Sequence, residues 1–357
     1  MSVEVITKED ITKLLNDWYV EMCSHHVIKA RKLKEEIDKK INNIEPDQEI
    51  LIYYSLLEFR YKILIEDFEH HLNEDLIISE ETDKFLQFYY HFFKFIYAME
   101  IGNYSNAKKH CECADKLLEF IPDEAEKAEF NYRISVFYYH IGQRVEAVNF
   151  ASKAKQFFSK NPGYEVKLAA SENILGMAYT RLRKFELAEK HLIASLNIFQ
   201  ELDEKSLILK VNHNLGMLYA DQNFSELAIR YLSESFNVGE KYKTSFLLAR
   251  EHYKIGNKKE ATTYIEKGLK ACNKEYIHHF NILKALNDQI PIDQLEEVIK
   301  NAIEYFKSED LWSFVKDYAQ ELAIRLFDIN NYKKSSEYFI LSYKAGEKLL
   351  EWGKLKR

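Results

Sequence analysis

The sequence ILGMAYTRLRKFELAEKHLIASL, which begins at Ile174, recurs as NLGMLYADQNFSELAIRYLSESF from Asn214. The two copies share glycine, tyrosine, alanine, leucine and serine at a spacing of 40 residues, and Gly176 and Gly216 form one such pair. Self-similarity at a fixed period of about 20 to 50 residues is typical of proteins that stack one structural unit repeatedly. The stretch therefore predicts a repeat fold.

The same frame extends over most of the chain. Small residues open the second half of each unit, at steps of 40, 41, 40 and 33 residues from Ala107 through Ala261. The frame returns at Ser335, and a weaker unit lies between Ala261 and Ser335. A small residue lets two helices approach closely, and glycine- or asparagine-containing turns separate one helix from the next. This pattern resembles tetratricopeptide repeats with lengthened helices, whereas an irregular helical bundle, the alternative, does not need positions that recur in phase.

The composition favours helices over sheets. Only 10 glycines and 4 prolines occur in 357 residues, whereas hairpins and dinucleotide-binding folds need glycine at tight turns and phosphate contacts. Hydrophobic residues make up 46% of the chain and aromatic residues 14%, which is ample for a large core. We therefore expect an all-α fold, in which an N-terminal three-helix bundle precedes a tetratricopeptide-repeat superhelix.

Charge and cysteine content narrow the cellular context. A net charge of −7 argues against non-specific binding to nucleic acid. Four cysteines do not form a disulfide framework, the first residues do not match a signal peptide, and no apolar run is long enough to span a membrane. We expect a cytoplasmic protein that binds neither nucleic acid nor membrane directly and has no metal or cofactor of its own.

The N-terminal segment lacks the repeat frame. Apolar residues at helical spacing predict three amphipathic helices there, from about Thr7 to Cys23, from about Val27 to Ile44 and from about Asp47 to His70. Three such helices with short connections form a small bundle. We expect residues 1–71 to form this bundle, 72–83 a linker and 84–357 the repeat domain.

The turn before the third predicted helix carries a candidate functional residue. Pro46 ends the preceding helix, and Asp47 is a good N-cap for the next one. Gln48 then lies in the first helical turn, exposed at a tip of the bundle. Taken alone, this is a capping sequence with an incidental glutamine.

The first helix of each repeat is expected to line the inner wall of the superhelix, which is a binding surface. Asparagine amides on that wall can pair with both the N–H and the C=O of an extended peptide. Solvation, or capping of a neighbouring helix, is the alternative for the asparagines. The residues expected on the wall are Asn173, Met177, Thr180, Lys210, His213, Asn214, Met217 and Asp221.

Residues 47–60, DQEILIYYSLLEFR, resemble the signature of the Rap family of bacterial response-regulator aspartate phosphatases. The segments LNDWY at 15–19, EKAEF at 126–130 and Tyr138-Tyr139 resemble the same family, and the similarity runs over essentially the whole chain. Rap proteins belong to the wider class of peptide-pheromone sensors that are built on tetratricopeptide repeats.

The resemblance implies a phosphatase that lends one side chain to its partner. A receiver domain carries a phosphoryl group on an aspartate beside Mg²⁺, and a Rap protein inserts a glutamine that places water in line with phosphorus, as the glutamine of a GTPase does. Gln48 matches that glutamine. The positions that contact the regulator or hold the helix tip align with Glu45, Asp47, Leu51 and Phe59.

The resemblance also implies control by a short peptide. Family members are inhibited by exported peptides that return to the cytoplasm and bind the repeat groove, which compacts the superhelix and repacks the bundle. Asn214 matches a family position that binds the peptide backbone. Some relatives bind the DNA-binding domain of a competence-type transcription factor, so a non-enzymatic scaffold that sequesters such a domain is the rival function.

Three places depart from the family pattern, and one of them is Phe95, which stands where many relatives have glycine in the first repeat. Pro46 replaces a residue that is usually acidic in the family. Tyr179-Thr180 falls where relatives often carry acidic residues that pair with a basic residue of the peptide. We therefore expect any cognate peptide to be recognised without that ion pair.

Overall fold

The structure is a computed structural model that describes residues 7–24, 26–43, 47–65, 67, 79, 81–236, 241–309 and 311–353. Within these ranges all regular structure is helical, so the predicted all-α class is confirmed. The helices are α1 (Lys8–Cys23), α2 (Val27–Lys40), α3 (Gln48–Leu64), α4 (Lys84–Glu100), α5 (Tyr104–Leu117), α6 (Glu124–His140), α7 (Arg144–Phe158), α8 (Glu165–Arg181), α9 (Phe185–Glu201), α10 (Lys205–Asp221), α11 (Ser225–Ser235), α12 (Lys241–Lys254), α13 (Lys258–Leu269), α14 (Lys274–Asn287), α15 (Ile292–Ser308), α16 (Trp312–Asp328) and α17 (Tyr332–Gly353). Short 3₁₀ turns follow α2 and α5.

From α4 onward, neighbouring helices pair into hairpins with one constant register. In each hairpin except that of α14 and α15, a buried residue of the first helix precedes a buried, small residue of the second helix by twelve positions. At Gly216 the close approach is strict, because an added Cβ would lie 2.5 Å from Cγ of Leu232 on the second helix. The pairs that keep this register include Gly176 with Ala188, Gly216 with Ala228, Ala249 with Ala261, and Ala323 with Ser335.

The weak unit between Ala261 and Ser335 is the hairpin of α14 and α15. Leu283 and Leu295 take its two anchor positions, at the same twelve-residue spacing, and both are buried. Because leucine replaces the small residue at both anchors, the unit keeps the register but loses the composition that makes the other repeats visible in the sequence.

The chain divides into two compact units, Met1–Ile174 and Leu175–Arg357. The first has an aromatic core to which Trp18, Phe88 and Phe130 contribute, and the second has a core around Phe306 that includes residues of α14 to α17. The division into a bundle, a linker and a repeat domain stays a prediction, since most of residues 72–83 lie outside the described ranges.

The N-terminal helices α1, α2 and α3 begin within one residue of the predicted starts, and α3 contacts α4. Helix α2 ends at Lys40, and a 3₁₀ turn over Ile41–Asn43 takes the place of its predicted last turn. The expected extension of α3 to His70 is wrong, because the helix ends at Leu64. The N–H of Asp67 bonds back to the carbonyl of Lys62 at 3.0 Å, and this six-to-one bond closes the last turn. Over the described part of the chain, no helix has the length and apolarity needed to cross a membrane.

Candidate functional site

Gln48 is the first residue of α3, and it is exposed. Asp47 caps the helix, because its Oδ1 accepts hydrogen bonds from the backbone N–H groups of Glu49 and Ile50 at 3.0 and 3.2 Å. Its Oδ2 accepts a hydrogen bond from Nζ of Lys8 at 2.7 Å, which joins the start of α1 to the start of α3. The hydrogen bond from Lys8, together with those from the backbone, lowers the pKa of Asp47. The first turn of α3 is therefore fixed by charge-assisted bonds that leave the glutamine at the surface.

The other residues predicted to surround Gln48 separate into exposed and buried positions. Leu51 lies one turn further along α3, on the same face, and is 44% exposed. Phe59 is only 4% exposed, and its ring centroid lies 5.4 Å from that of Tyr97. In this structure the tip presents Gln48 and Leu51, while Phe59 holds α3 against α4. Glu45 lies outside the described residues.

A buried carboxyl group, that of Glu126, joins α6 to α1. Its Oε2 accepts a hydrogen bond from the hydroxyl of Tyr19 at 3.0 Å. Burial raises the pKa of Glu126 to about 8, and the negative charge of Glu129 adds to this, although hydrogen bonds from Tyr19 and Tyr89 oppose it. At neutral pH this carboxyl is therefore mainly protonated.

Glu129, one turn further along α6, is buried but charged. Its Oε1 accepts a hydrogen bond from Nε of Arg133 at 2.9 Å, and its Oε2 lies 2.8 Å from Nζ of Lys167. Burial alone would raise the pKa of Glu129, but Lys167 and Arg133 lower it to about 2. In the sequence, Glu126 and Glu129 stand out only as part of the segment EKAEF, which resembles the Rap family, and their different charge states were not predicted. Two acids spaced by three residues on a helix that also carries apolar residues were the available signal.

Most of the residues predicted to contact a peptide are partly accessible. His213 approaches the neighbouring helix α12, since its Nδ1 lies 3.2 Å from Oγ1 of Thr244, and burial lowers the pKa of His213. In the second unit, Asp221 is exposed, and the half-buried candidates are Met177, His213, Asn214 and Met217.

Two candidates differ from this group. Thr180 is 6% exposed, and its hydroxyl donates to the carbonyl of Gly176 in the same helix at 2.9 Å. Its side chain is thus engaged by α8 itself. Asn173 is half-buried and belongs to the first unit, whereas the other candidates belong to the second.

The chemistry of the tip rests on a carboxamide. Such a group donates and accepts hydrogen bonds but carries no charge. In the ranges that the structure covers, no three His, Cys, Asp or Glu side chains are grouped so that they could hold a metal ion. Gln48 can therefore orient a water or a polar ligand held by another molecule.

Comparisons with known proteins identify the chain's relatives. Residues 5–66 match the family model "response regulator aspartate phosphatase H, N terminal", and residues 167–241 match a tetratricopeptide-repeat model. Response regulator aspartate phosphatase I of Bacillus subtilis (strain 168) is 30% identical, over 95% of this chain and 91% of that protein. Regulatory protein RapK of the same strain is 30% identical, over 96% and 97% of the two chains. The crystal structure of a Rap protein complexed with competence and sporulation factor has the same fold, with a TM-score of 0.81 and 24% identity over 97% of this chain and all of that one.

The fold and the two groups of candidate residues define a tetratricopeptide-repeat protein whose N-terminal helices carry an exposed glutamine. With the comparisons, the chain belongs to the Rap family of peptide sensors.

Proposed function

We propose that the protein is a regulatory phosphatase that docks on the phosphorylated receiver domain of a response regulator and promotes hydrolysis of its aspartyl phosphate. The proposal rests on one observation above all, the exposure of Gln48 at a capped helix start. Support comes from relatives that are named response regulator aspartate phosphatases.

Each residue at the start of α3 has a separate role in the proposed hydrolysis. The carboxamide of Gln48 accepts a hydrogen bond from a water and donates one to a phosphoryl oxygen, which aligns the water with phosphorus. Mg²⁺ and the acyl phosphate belong to the receiver domain, where the metal neutralises the charge on the phosphoryl group. Leu51 supplies an apolar contact beside the glutamine, and Asp47 keeps the first turn of α3 in place.

A short peptide in the repeat groove inhibits the activity. Asn214 offers its amide to the peptide backbone, and His213, Met177, Met217 and Asp221, which belong to the same unit, contact the peptide's side chains. Support comes from the solved complexes of other Rap proteins with a signalling factor and with a Phr* peptide. Because response regulators act in the cytoplasm, we place the protein there as well.

The test is the lifetime of the phosphoryl group on a receiver domain. Purified protein is incubated with a panel of radiolabelled receivers that includes a sporulation-type phosphorelay receiver. We expect one receiver to lose phosphate faster, and a short inhibitory peptide to reverse the effect. Unchanged lifetimes across the panel, with tight binding to a DNA-binding domain that lacks a receiver, would establish the non-enzymatic scaffold instead.

A further inference from the structure

The register of the repeats lets α10, α12 and α14 be compared position by position. Their anchors are Gly216, Ala249 and Leu283, each twelve residues before the anchor of the following helix. Helix α12 contacts both α10 and α14. Equivalent exposed positions on the three helices therefore lie side by side on one wall of the second unit.

Cations dominate this wall. Six residues before the anchor, α10 carries Lys210 and α12 carries Lys243. Directly after the anchor, α12 carries Arg250 and α14 carries Lys284. The wall carries two exposed carboxylates, Asp221 and Asp288, at the position five residues after the anchor. Its cations are Lys210, Lys243, Arg250, Lys254 and Lys284, of which Arg250 is half-buried and the others are exposed. The excess is local, because the whole chain has a net charge of −7.

A buried carboxylate holds two of these cations in place. Glu251 is fully buried, and its Oε1 lies 2.9 Å from Nε of Arg250 and 3.0 Å from Nζ of Lys254. Its Oε2 accepts a hydrogen bond from the hydroxyl of Ser225 at 2.8 Å. One carboxylate thus fixes two cations and balances only one of them, which leaves a preorganised positive charge on α12.

Cavities open beside the cations. Lys254 borders a cavity of about 890 Å³ whose lining comes mostly from the turn after α10 and from α11, with Glu226 and Arg230 among its residues. Lys284 borders a second cavity of about 460 Å³, together with Asn281 and Asp288. Ligand sites combine such concave spaces with a few polar groups that fix orientation. Cations of the wall therefore border concave spaces that α11 and α15 help to line, and an anionic ligand could enter them beside these cations.

We propose that the wall formed by α10, α12 and α14 selects a short peptide that carries an acidic side chain. The inference rests on the proposed function, in which the repeats bind a peptide, and it adds the charge of that peptide. A carboxylate of the peptide pairs with the cations of α12, flanked by Lys210 and Lys284. Cations on three successive helices exceed what a single terminal carboxylate engages, which favours an acidic side chain in addition.

The test uses labelled hexapeptide pools with amidated C-termini and neutral residues at five positions. The sixth position is fixed as Asp, Asn or Lys, and a fourth pool carries Asn with a free C-terminus. Affinity is measured by fluorescence anisotropy on the full chain at two salt concentrations. We expect the Asp pool to bind about fivefold more tightly than the amidated Asn pool, and the Lys pool to bind least, with the preference for Asp reduced at high salt.

Matched variants locate the effect. Lys210→Gln combined with Lys284→Gln leaves the partners of Glu251 intact, and we expect it to weaken the Asp pool about fivefold while the Asn pool changes little. Lys259→Gln, an exposed lysine of α13 outside the wall, is the control and should leave both affinities unchanged. The inference is wrong if the Lys pool binds as tightly as the Asp pool, or if the double variant keeps the full preference for Asp. Neither result would contradict the proposed peptide binding itself.

Two further outcomes are decisive. If only the free C-terminus raises affinity, the acidic side chain is not what the wall selects, and the inference is wrong while peptide binding stands. If no pool binds, the proposed peptide control fails, and the inference fails with it.

Discussion

Lys8 and Asp47 join the first and third helices through an Nζ–Oδ2 contact of 2.7 Å, directly beside Gln48. The carboxylate of Asp47 also accepts two backbone N–H groups of α3, so one side chain serves both as the N-cap and as the link between helices. The position of the glutamine therefore depends on a capping residue that does not itself face the reaction.

Asp47→Asn and Asp47→Ala separate these two roles. Asparagine keeps the cap and loses the ion pair, whereas alanine loses both. Since exposed ion pairs contribute little, we expect Asp47→Asn to keep a melting temperature close to that of the wild type and Asp47→Ala to lower it. Amide hydrogen exchange at Glu49 and Ile50 should rise only in the alanine variant. An equal rise of exchange in both variants would show that the ion pair, not the cap, fixes the helix start.

Glu126→Gln tests the protonated carboxyl. The folded pKa of about 8 lies above the unfolded value of about 4.3, so the folded protein keeps a proton that the unfolded chain releases between these values. Below the unfolded pKa, this group contributes its full amount to the free energy of unfolding. Between the unfolded and the folded pKa, that contribution falls by at most about 1.4 kcal/mol per pH unit, and above the folded pKa it is lost. Glutamine does not titrate. We expect the melting temperature of the wild type to fall relative to that of Glu126→Gln between pH 6 and pH 8, and parallel curves would refute the assignment.

Glu129→Gln is the matched variant on the same helix. It removes the charge that Lys167 and Arg133 share and leaves two buried cations without their counter-ion. We expect a loss of about 3 to 5 kcal/mol in the free energy of unfolding at pH 7, measured by urea denaturation. A loss no larger than that of Glu126→Gln would mean that the two carboxyls do not differ in charge.

Gly216→Ala tests the close approach of helices within a repeat. Its Cβ would meet Leu232 at 2.5 Å, so we expect a destabilisation of about 1 to 3 kcal/mol from overpacking. Gly256→Ala is the control for backbone strain alone, because Gly256 has a φ of +79° and open space where a Cβ would lie. Its cost should be about 1 to 2 kcal/mol, without the loss of packing around Leu232. Adding Leu232→Ala should reduce the destabilisation caused by Gly216→Ala but not that caused by Gly256→Ala.

The repeats could be predicted from the sequence wherever small residues occupy the anchor positions. Gly176 and Gly216 mark it because the partner helix leaves no room for a side chain at these positions. At Leu283 and Leu295 the register persists without small residues, so the sequence revealed only a weak unit there. The end of α3 at Leu64 depends on a backbone bond that side-chain periodicity does not encode.

In the candidate site, too, features set by neighbouring residues were predictable, and features set by residues distant in the sequence were not. Asp47 and Gln48 follow from capping rules that act within four residues, and the structure places both as predicted. The burial of Phe59 depends on Tyr97, which is distant in the sequence. Likewise, Glu126 and Glu129 are the same residue type, and their opposite protonation states depend on Lys167 from another helix as well as on Arg133 of the same helix.

The most direct test of the central claim is the rate of phosphate loss from a receiver domain saturated with Gln48→Ala. We predict a rate lower than that of the wild type by about two to three orders of magnitude, with the affinity for the receiver retained. Gln48→Asn should be similarly impaired because its carboxamide lies one methylene short, and Gln200→Ala, an exposed glutamine of α9, should act like the wild type. A Gln48→Ala variant that removes phosphate as fast as the wild type would contradict the account.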